Sequence, residues 1–141
     1  MEWTDVTERL AGIGVAHLAT TAADGHPHVA KVGVAVDGEH LWFFTLEDTA
    51  KATNLRARPF VALMWEGNQA ETYVWGEAEM VDDLATKERV FASGLLPYDP
   101  VGFFGSADNP ALVLARISPT RAAVVGAVDG RPARLRWAAG S

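Results

Sequence analysis

The sequence contains no cysteine among its 141 residues. This absence excludes disulfide bonds, thiolate metal ligands and cysteine nucleophiles. The closest approach to a metal-ligand pair is His26 and His28, two positions apart in what reads as a strand. No pair of carboxylates stands at ligand spacing beside them, so we expect no metal site.

The chain also lacks a basic excess and a long apolar run. It carries 12 Lys and Arg against 18 Asp and Glu, a formal net charge of -6, whereas nucleic-acid-binding proteins neutralise phosphates with clustered cations. No apolar stretch approaches the roughly 20 residues of a membrane-spanning helix. The acidic first five residues lack the basic region of a secretory signal. We therefore expect a cytoplasmic protein with no nucleic-acid and no membrane partner.

What the chain does contain is typical of one globular domain. Apolar residues make up 49% of the sequence and charged residues 21%, and the length suits a single domain over residues 1–141. Residues 131–141 are basic, and we expect them to form a flexible tail.

Runs of β-forming residues separated by turn signals, among them Asp37-Gly38, predict strands. The predicted strands cover residues 15–21, 28–36, 41–45, 60–65, 71–81, 111–118 and 121–128, with a turn at 119–120 between the last two. Helices are predicted near the N-terminus, over 49–56 and over 84–93. Antiparallel neighbours joined by tight turns favour a mainly β fold, a closed or partly closed barrel of six or seven strands.

Residues 94–110 form an irregular segment that is rich in large apolar side chains, which predicts that it packs against another part of the structure. Together with Trp65 and Trp75, these apolar groups exceed what a small barrel needs for its own core. We therefore expect a homodimer with a small-molecule site at the seam, and place these two tryptophans nearest to it.

The chemistry is expected where the strand 41–45 passes into the helix 49–56. Thr45, Thr49, Lys51 and Arg56 converge there, and the free N–H groups and positive dipole end of a helix start suit a phosphate. The alternative is structural: Thr49 is then only the helix N-cap and Lys51 a solvated surface cation.

Three sequence stretches, in this order, resemble the flavin-binding split barrel of the pyridoxamine 5'-phosphate oxidase-like superfamily. They are DGHPHV at 24–29, DGEHLWFFT at 37–45 and TAKATNLRARPFVAL at 49–63. Downstream, VWGEA at 74–78 and DNPALVLARISP at 108–119 are similar to its small general-stress-protein branch. The resemblance covers about residues 14–123 and rests on order and spacing rather than on one specific motif.

This resemblance implies a homodimeric antiparallel split barrel that binds FMN. Thr45, Thr49 and Lys51 match positions that hold the flavin phosphate. The backbone of Phe43 and Phe44 matches the border of the ring system. The segment over which the ring lies corresponds to Val29, Ala30, Lys31 and Val32, where Lys31 is either a cofactor contact or an exposed surface cation. Arg56 is a weaker candidate, because it is able to pair with a nearby carboxylate instead.

The sequence departs from the oxidases of vitamin B6 at three places. An arginine beside the helix lysine is replaced by Ala50, and an arginine at the start of the second strand by Val29 or Ala30. The C-terminal tryptophan and arginine signature is absent, because residues 134–137 have another order and spacing. These departures argue against vitamin B6 oxidation.

The function implied is an oxidoreductase that moves a hydride to or from a small organic substrate. Two alternatives stay open: a reductase that uses the deazaflavin F-420, and a non-catalytic flavin or haem carrier, in which His28 would bind the haem. No catalytic acid or base is assigned.

Overall fold

A computed structural model describes residues 1–140 of the chain. The helices are α1 (Trp3–Leu10), α2 (Ala50–Ala57), α3 (Leu84–Phe91) and α4 (Pro100–Phe104). The strands are β1 (Val15–Thr21), β2 (Pro27–Gly33), β3 (Ala35–Val36), β4 (Leu41–Leu46), β5 (Phe60–Gly67), β6 (Ala70–Val81), β7 (Leu112–Val128) and β8 (Arg131–Ala138). Within the described residues, no helix is long and apolar enough to cross a membrane.

The strands form one antiparallel sheet with the order β2-β1-β5-β6-β7-β4-β3, and β8 pairs with β7 beside this path. β2 and β3 are joined by the single residue Val34, although they stand at opposite ends of the order. The sheet must therefore curl until its two ends meet, which produces a split barrel. The predicted mainly β, antiparallel barrel is confirmed, with eight strands in the described residues instead of six or seven.

β7 corrects the prediction of two strands separated by a turn at Pro119 and Thr120. It is one strand of 17 residues, and the irregularity that proline introduces is taken up by a register shift in its pairing with β6 between Trp75 and Gly76. Gly76 allows the close approach, since a Cβ there would lie 2.5 Å from the Ser118 carbonyl oxygen. A bulge therefore replaces the expected turn.

The basic C-terminal segment, expected to be a flexible tail, is strand β8. It pairs with β7 from Arg131↔Val128 to Ala138↔Arg121. Its alternation puts Trp137 against the core and Arg136 toward solvent, so the strand is amphipathic in spite of its charge. The predicted strand 28–36 also differs, because Val34 interrupts it between β2 and β3.

Two apolar clusters stabilise the fold. The larger fills the barrel and includes the inward-facing side chains Leu18, Phe43, Leu63 and Trp65. The smaller lies on the other face of β4, where α3 and the irregular segment cover Phe44 with aromatic rings. The prediction that residues 94–110 pack against the rest of the protein agrees with this arrangement.

We expect Gly76→Ala to lower the free energy of unfolding by about 1 to 3 kcal/mol, because the new methyl group overlaps backbone atoms of β7. Urea denaturation measures the change. Gly102→Ala is the matched control: its Cβ would have no neighbour closer than 4.0 Å, and alanine favours a helix more than glycine does. Equal losses in the two variants would contradict the bulge explanation.

Candidate functional site

Helix α2 is fixed on the end of the barrel by polar contacts. Asn54 is buried and its Nδ2 donates to Thr20 Oγ1 on β1 at 3.0 Å. Arg58 Nε donates to the Thr21 carbonyl oxygen at 2.7 Å. Leu55 packs into the core beneath the helix. The first turn of α2 is thereby held at a defined position next to the end of β4.

The first turn of α2 offers backbone donors. Thr49 is the N-cap, and its Oγ1 accepts from the Ala52 N–H at 3.4 Å. The N–H groups of Ala50 and Lys51 have no hydrogen-bond partner within residues 1–140. Two free donors at the positive end of a helix suit an anion.

The hydroxyls of Thr45 and Thr49, which were predicted to hold a phosphate, form hydrogen bonds within the protein. Thr49 Oγ1 donates to the Leu46 carbonyl oxygen at 2.8 Å and lies 3.1 Å from Thr45 Oγ1. Since each hydroxyl has one proton, Thr45 is the donor of that pair. Both hydroxyl protons are thus donated within the protein. The donors that stay free for a phosphate are therefore backbone N–H groups and not the threonine hydroxyls.

Lys51 is the cation of this site. It is half-buried, and the burial lowers the pKa of its ammonium group below the ordinary 10.5. No carboxylate within residues 1–140 forms an ion pair with it. A partly desolvated, unpaired ammonium gains more from an anionic ligand than an exposed one does.

Arg56, the fourth predicted member, is occupied elsewhere. Its Nε and Nη2 donate to the two carboxylate oxygens of Glu47 at 2.9 and 2.7 Å. This contact raises the pKa of Arg56 and lowers the pKa of Glu47. It also draws the Glu47 charge toward the last turn of α2, where Arg56 lies, so this acid competes less for the first turn.

The site lies beside β2 and β4, which contact each other without pairing, and we call the strip between these two strands the groove. β3 pairs with β4 only at Leu41 and Trp42, so the edge of β4 from Phe43 to Leu46 that faces away from β7 has no strand partner in the described chain. Within residues 1–140, the second edge of β2 has no strand partner either. Alternate residues of an antiparallel strand direct their N–H and C=O groups to such an edge.

Side chains along β2 alternate between the two faces. Val29, which is 63% exposed, and Lys31 point outward, whereas Ala30 and Val32 point toward the barrel. Phe43 and Phe44 are 0% and 5% exposed, so only their backbone is accessible to a ligand. The backbone role that the resemblance implies for them stays a prediction.

The two tryptophans occupy different environments. Trp65 is 1% exposed and belongs to the barrel core; its ring borders a cavity of about 640 Å³ beneath α1. The structure thus places Trp65 inside the protein rather than at a seam. Trp75 is half-buried on the outer face of β6, where it stacks on Tyr73.

Two features of this region were not found from the sequence. Tyr98 lies over Gly33 at the end of β2, so close that a Cβ on Gly33 would be 2.5 Å from its ring, and burial raises the pKa of Tyr98 to about 12. The irregular segment therefore covers the Gly33 end of β2, which is the opposite end from α2. The Asn54 contact was also missed. The sequence offered one signal for this contact, which is a polar residue in the middle of a short helix.

A comparison with protein families decides the relationship. The profile of the pyridoxamine 5'-phosphate oxidase family matches residues 4–126. The chain belongs to this family. No curated protein matches it significantly.

Solved structures of family members share the fold. A protein from Clostridium acetobutylicum related to general stress protein 26 has a TM-score of 0.74 at 14% identity, over 97% of this chain and 92% of that one. General stress protein 26 from Bacillus anthracis has a TM-score of 0.71 at 20% identity, over 94% and 98%. An F420 reductase has a TM-score of 0.61 at 25% identity, over 77% and 88%.

We expect Lys51→Met to leave the ligand-free protein at least as stable as the parent. A lysine whose pKa is lowered by folding binds fewer protons in the folded state, so stability rises with pH from its folded pKa up to about 10.5. The substitution removes that slope. Urea denaturation between about pH 8 and 10 measures it. Lower stability of the variant across this range would show that Lys51 has a stabilising partner.

Proposed function

We propose that this member of the pyridoxamine 5'-phosphate oxidase family is a flavin-binding oxidoreductase that uses FMN to move a hydride to or from a small organic substrate. The observation that carries the proposal is the unpaired, half-buried ammonium of Lys51 next to two free N–H groups at the start of α2. These donors suit the terminal phosphate of FMN in charge and in hydrogen bonding.

The residues fit the cofactor beyond its phosphate. The open edges of β2 and β4 offer backbone N–H and C=O groups, which suit the polar rim of a flavin ring. Lys31, exposed on β2 and without an ion pair in residues 1–140, is a cation on the strand over which the ring is proposed to lie. When bound, the flavin supplies the hydride chemistry. The protein orients it, and no side chain is assigned as a catalytic acid or base.

A second copy of the chain would cover the site. Val29 on β2 and Phe60 on β5 are 63% and 67% exposed, and both point to the outer face of the sheet. Large exposed apolar side chains on one face favour association. We propose a homodimer in which the partner covers the part of this face around Val29 and Phe60 and excludes water from the ring. We propose the cytoplasm as the cellular location.

A deazaflavin is the second candidate cofactor. The F420 reductase is 25% identical to this chain, and Ala50 supplies no second cation beside Lys51. A cofactor whose anionic tail differs from that of FMN is compatible with this reduced set of charges. Mass spectrometry of the ligand released from the purified protein distinguishes FMN, F-420 and haem.

A turnover measurement distinguishes an oxidoreductase from a flavin carrier. We expect the protein loaded with FMN or F-420 to be reduced by NAD(P)H or another hydride donor and to be reoxidised by an organic acceptor. Stopped-flow absorbance of the cofactor follows both steps. A cofactor that stays bound and unreactive toward every donor would make the protein a flavin carrier instead.

Lys51→Ala should weaken FMN binding about 10- to 100-fold, which is the effect of losing one charge-assisted contact. Fluorescence quenching of FMN in a titration gives the Kd. Arg131→Ala is the control, because Arg131 is an exposed cation at the start of β8. A Kd that changes equally in the two variants would mean that only the net charge matters and would refute the site.

The parent protein should sediment as a dimer of twice the 15.1 kDa chain mass, and Phe60→Asp should shift it to a monomer, because the new charge would be buried without a partner. Analytical ultracentrifugation measures the mass. Val101→Asp, on the exposed surface of α4, is the control. A monomeric parent would contradict the proposed seam.

A further inference from the structure

A second pocket lies on the sheet, away from α2. It has a volume of about 550 Å³ and lies between β6, β7 and β8. Its lining includes Trp75, Arg121 and Arg136, together with Met1, Trp137 and the small residues Ala122 and Ala123. A cavity of this size, with apolar walls and a few cations, suits a small organic molecule.

The register of the strands creates this pocket. Trp75 is paired with Arg121, and Tyr73 with Ala123, which in turn is paired with Arg136. Paired residues of an antiparallel sheet share a face. Tyr73, Trp75, Arg121 and Arg136 therefore share the outer face of the sheet, and the last three of them line the pocket.

Trp75 has an aromatic and a cationic neighbour on this face. The rings of Trp75 and Tyr73 are 5.9 Å apart and stacked at 16°, and the Arg121 guanidinium carbon lies 4.2 Å from the centre of the Trp75 ring. Arg121 is thus held by a cation–π contact, which leaves its N–H groups free to bind an acceptor.

The charges of this pocket are unbalanced. Neither Arg121 nor Arg136 forms an ion pair with a carboxylate within residues 1–140. Glu71, on the same face of β6, instead accepts a hydrogen bond from the Tyr73 hydroxyl at 3.4 Å. Two unpaired arginines at one cavity are a local concentration of positive charge in a chain of net charge -6.

We propose that this pocket binds a small planar aromatic carboxylate, with its ring against Trp75 and its carboxylate on Arg121 and Arg136. The guanidinium fork matches a carboxylate in two parallel hydrogen bonds. The pocket is separate from the proposed phosphate site: Val113, the partner of Thr45, precedes Arg121 by eight positions on β7, about 26 Å of extended strand.

Isothermal titration calorimetry of the full chain with 2-naphthoate tests the proposal. We expect saturable binding that is at least about tenfold weaker for Arg121→Gln and for Arg136→Gln. Two probe molecules serve as controls: 2-naphthalenemethanol lacks the charge and cyclohexanecarboxylate lacks the aromatic ring, and both should bind at least about tenfold more weakly than 2-naphthoate. Trp75→Leu should weaken 2-naphthoate and leave cyclohexanecarboxylate nearly unchanged.

Two further variants test whether 2-naphthoate binds in this pocket. Arg134→Gln changes a neighbouring cation on the same face of β8 that does not line the pocket, and Lys51→Gln changes the α2 site. Both should bind 2-naphthoate as the parent does. The proposal is overturned if the parent does not bind 2-naphthoate, if the two arginine variants at 121 and 136 bind it normally, if the uncharged alcohol binds equally well, or if Lys51→Gln alone abolishes binding. Should Trp75→Leu not fold, the two arginine variants decide.

Discussion

Val34 imposes the constraint on which the rest of the structure depends. It is one buried residue between β2 and β3, and those strands stand at opposite ends of the sheet order. One residue spans only a few ångströms, so the ends of the sheet must meet. Because β3 has just two residues, it closes the barrel at one end only. At the other end, β2 and β4 are not paired with each other. The groove is a direct consequence of this short closure.

The end of the groove acquires its charge from the way α2 is fixed. The buried contact of Asn54 with Thr20 orients the helix, and the bidentate pair of Arg56 with Glu47 removes an acid from the first turn. Lys51 then remains without a counterion in residues 1–140. An unpaired, partly desolvated cation is unfavourable by itself, and a bound anion would compensate this cost.

Sequence periodicity predicted the strands and the start of α2 well, because alternation and capping are local signals. It failed where the pairing of strands, and not the local sequence, determines the structure. Pro119 reads as a turn, yet the glycine opposite it, Gly76, lets the strand continue through a bulge. The arginines of β8 read as a tail, although Leu135 and Trp137 alternate with them at the period of a strand. The groove is built from backbone edges, which become apparent only once the register is known.

In the proposed complex, an anion binds to the backbone N–H groups at the start of α2, at the end of the groove between β2 and β4. A titration of the ¹⁵N-labelled protein with FMN, followed by amide chemical shifts, detects this contact residue by residue. We expect the largest shifts at Ala50 and Lys51, followed by residues 43–46 and 29–32. Shifts confined to the surface around Arg121 and Arg136, with α2 unchanged, would show that FMN does not bind at α2.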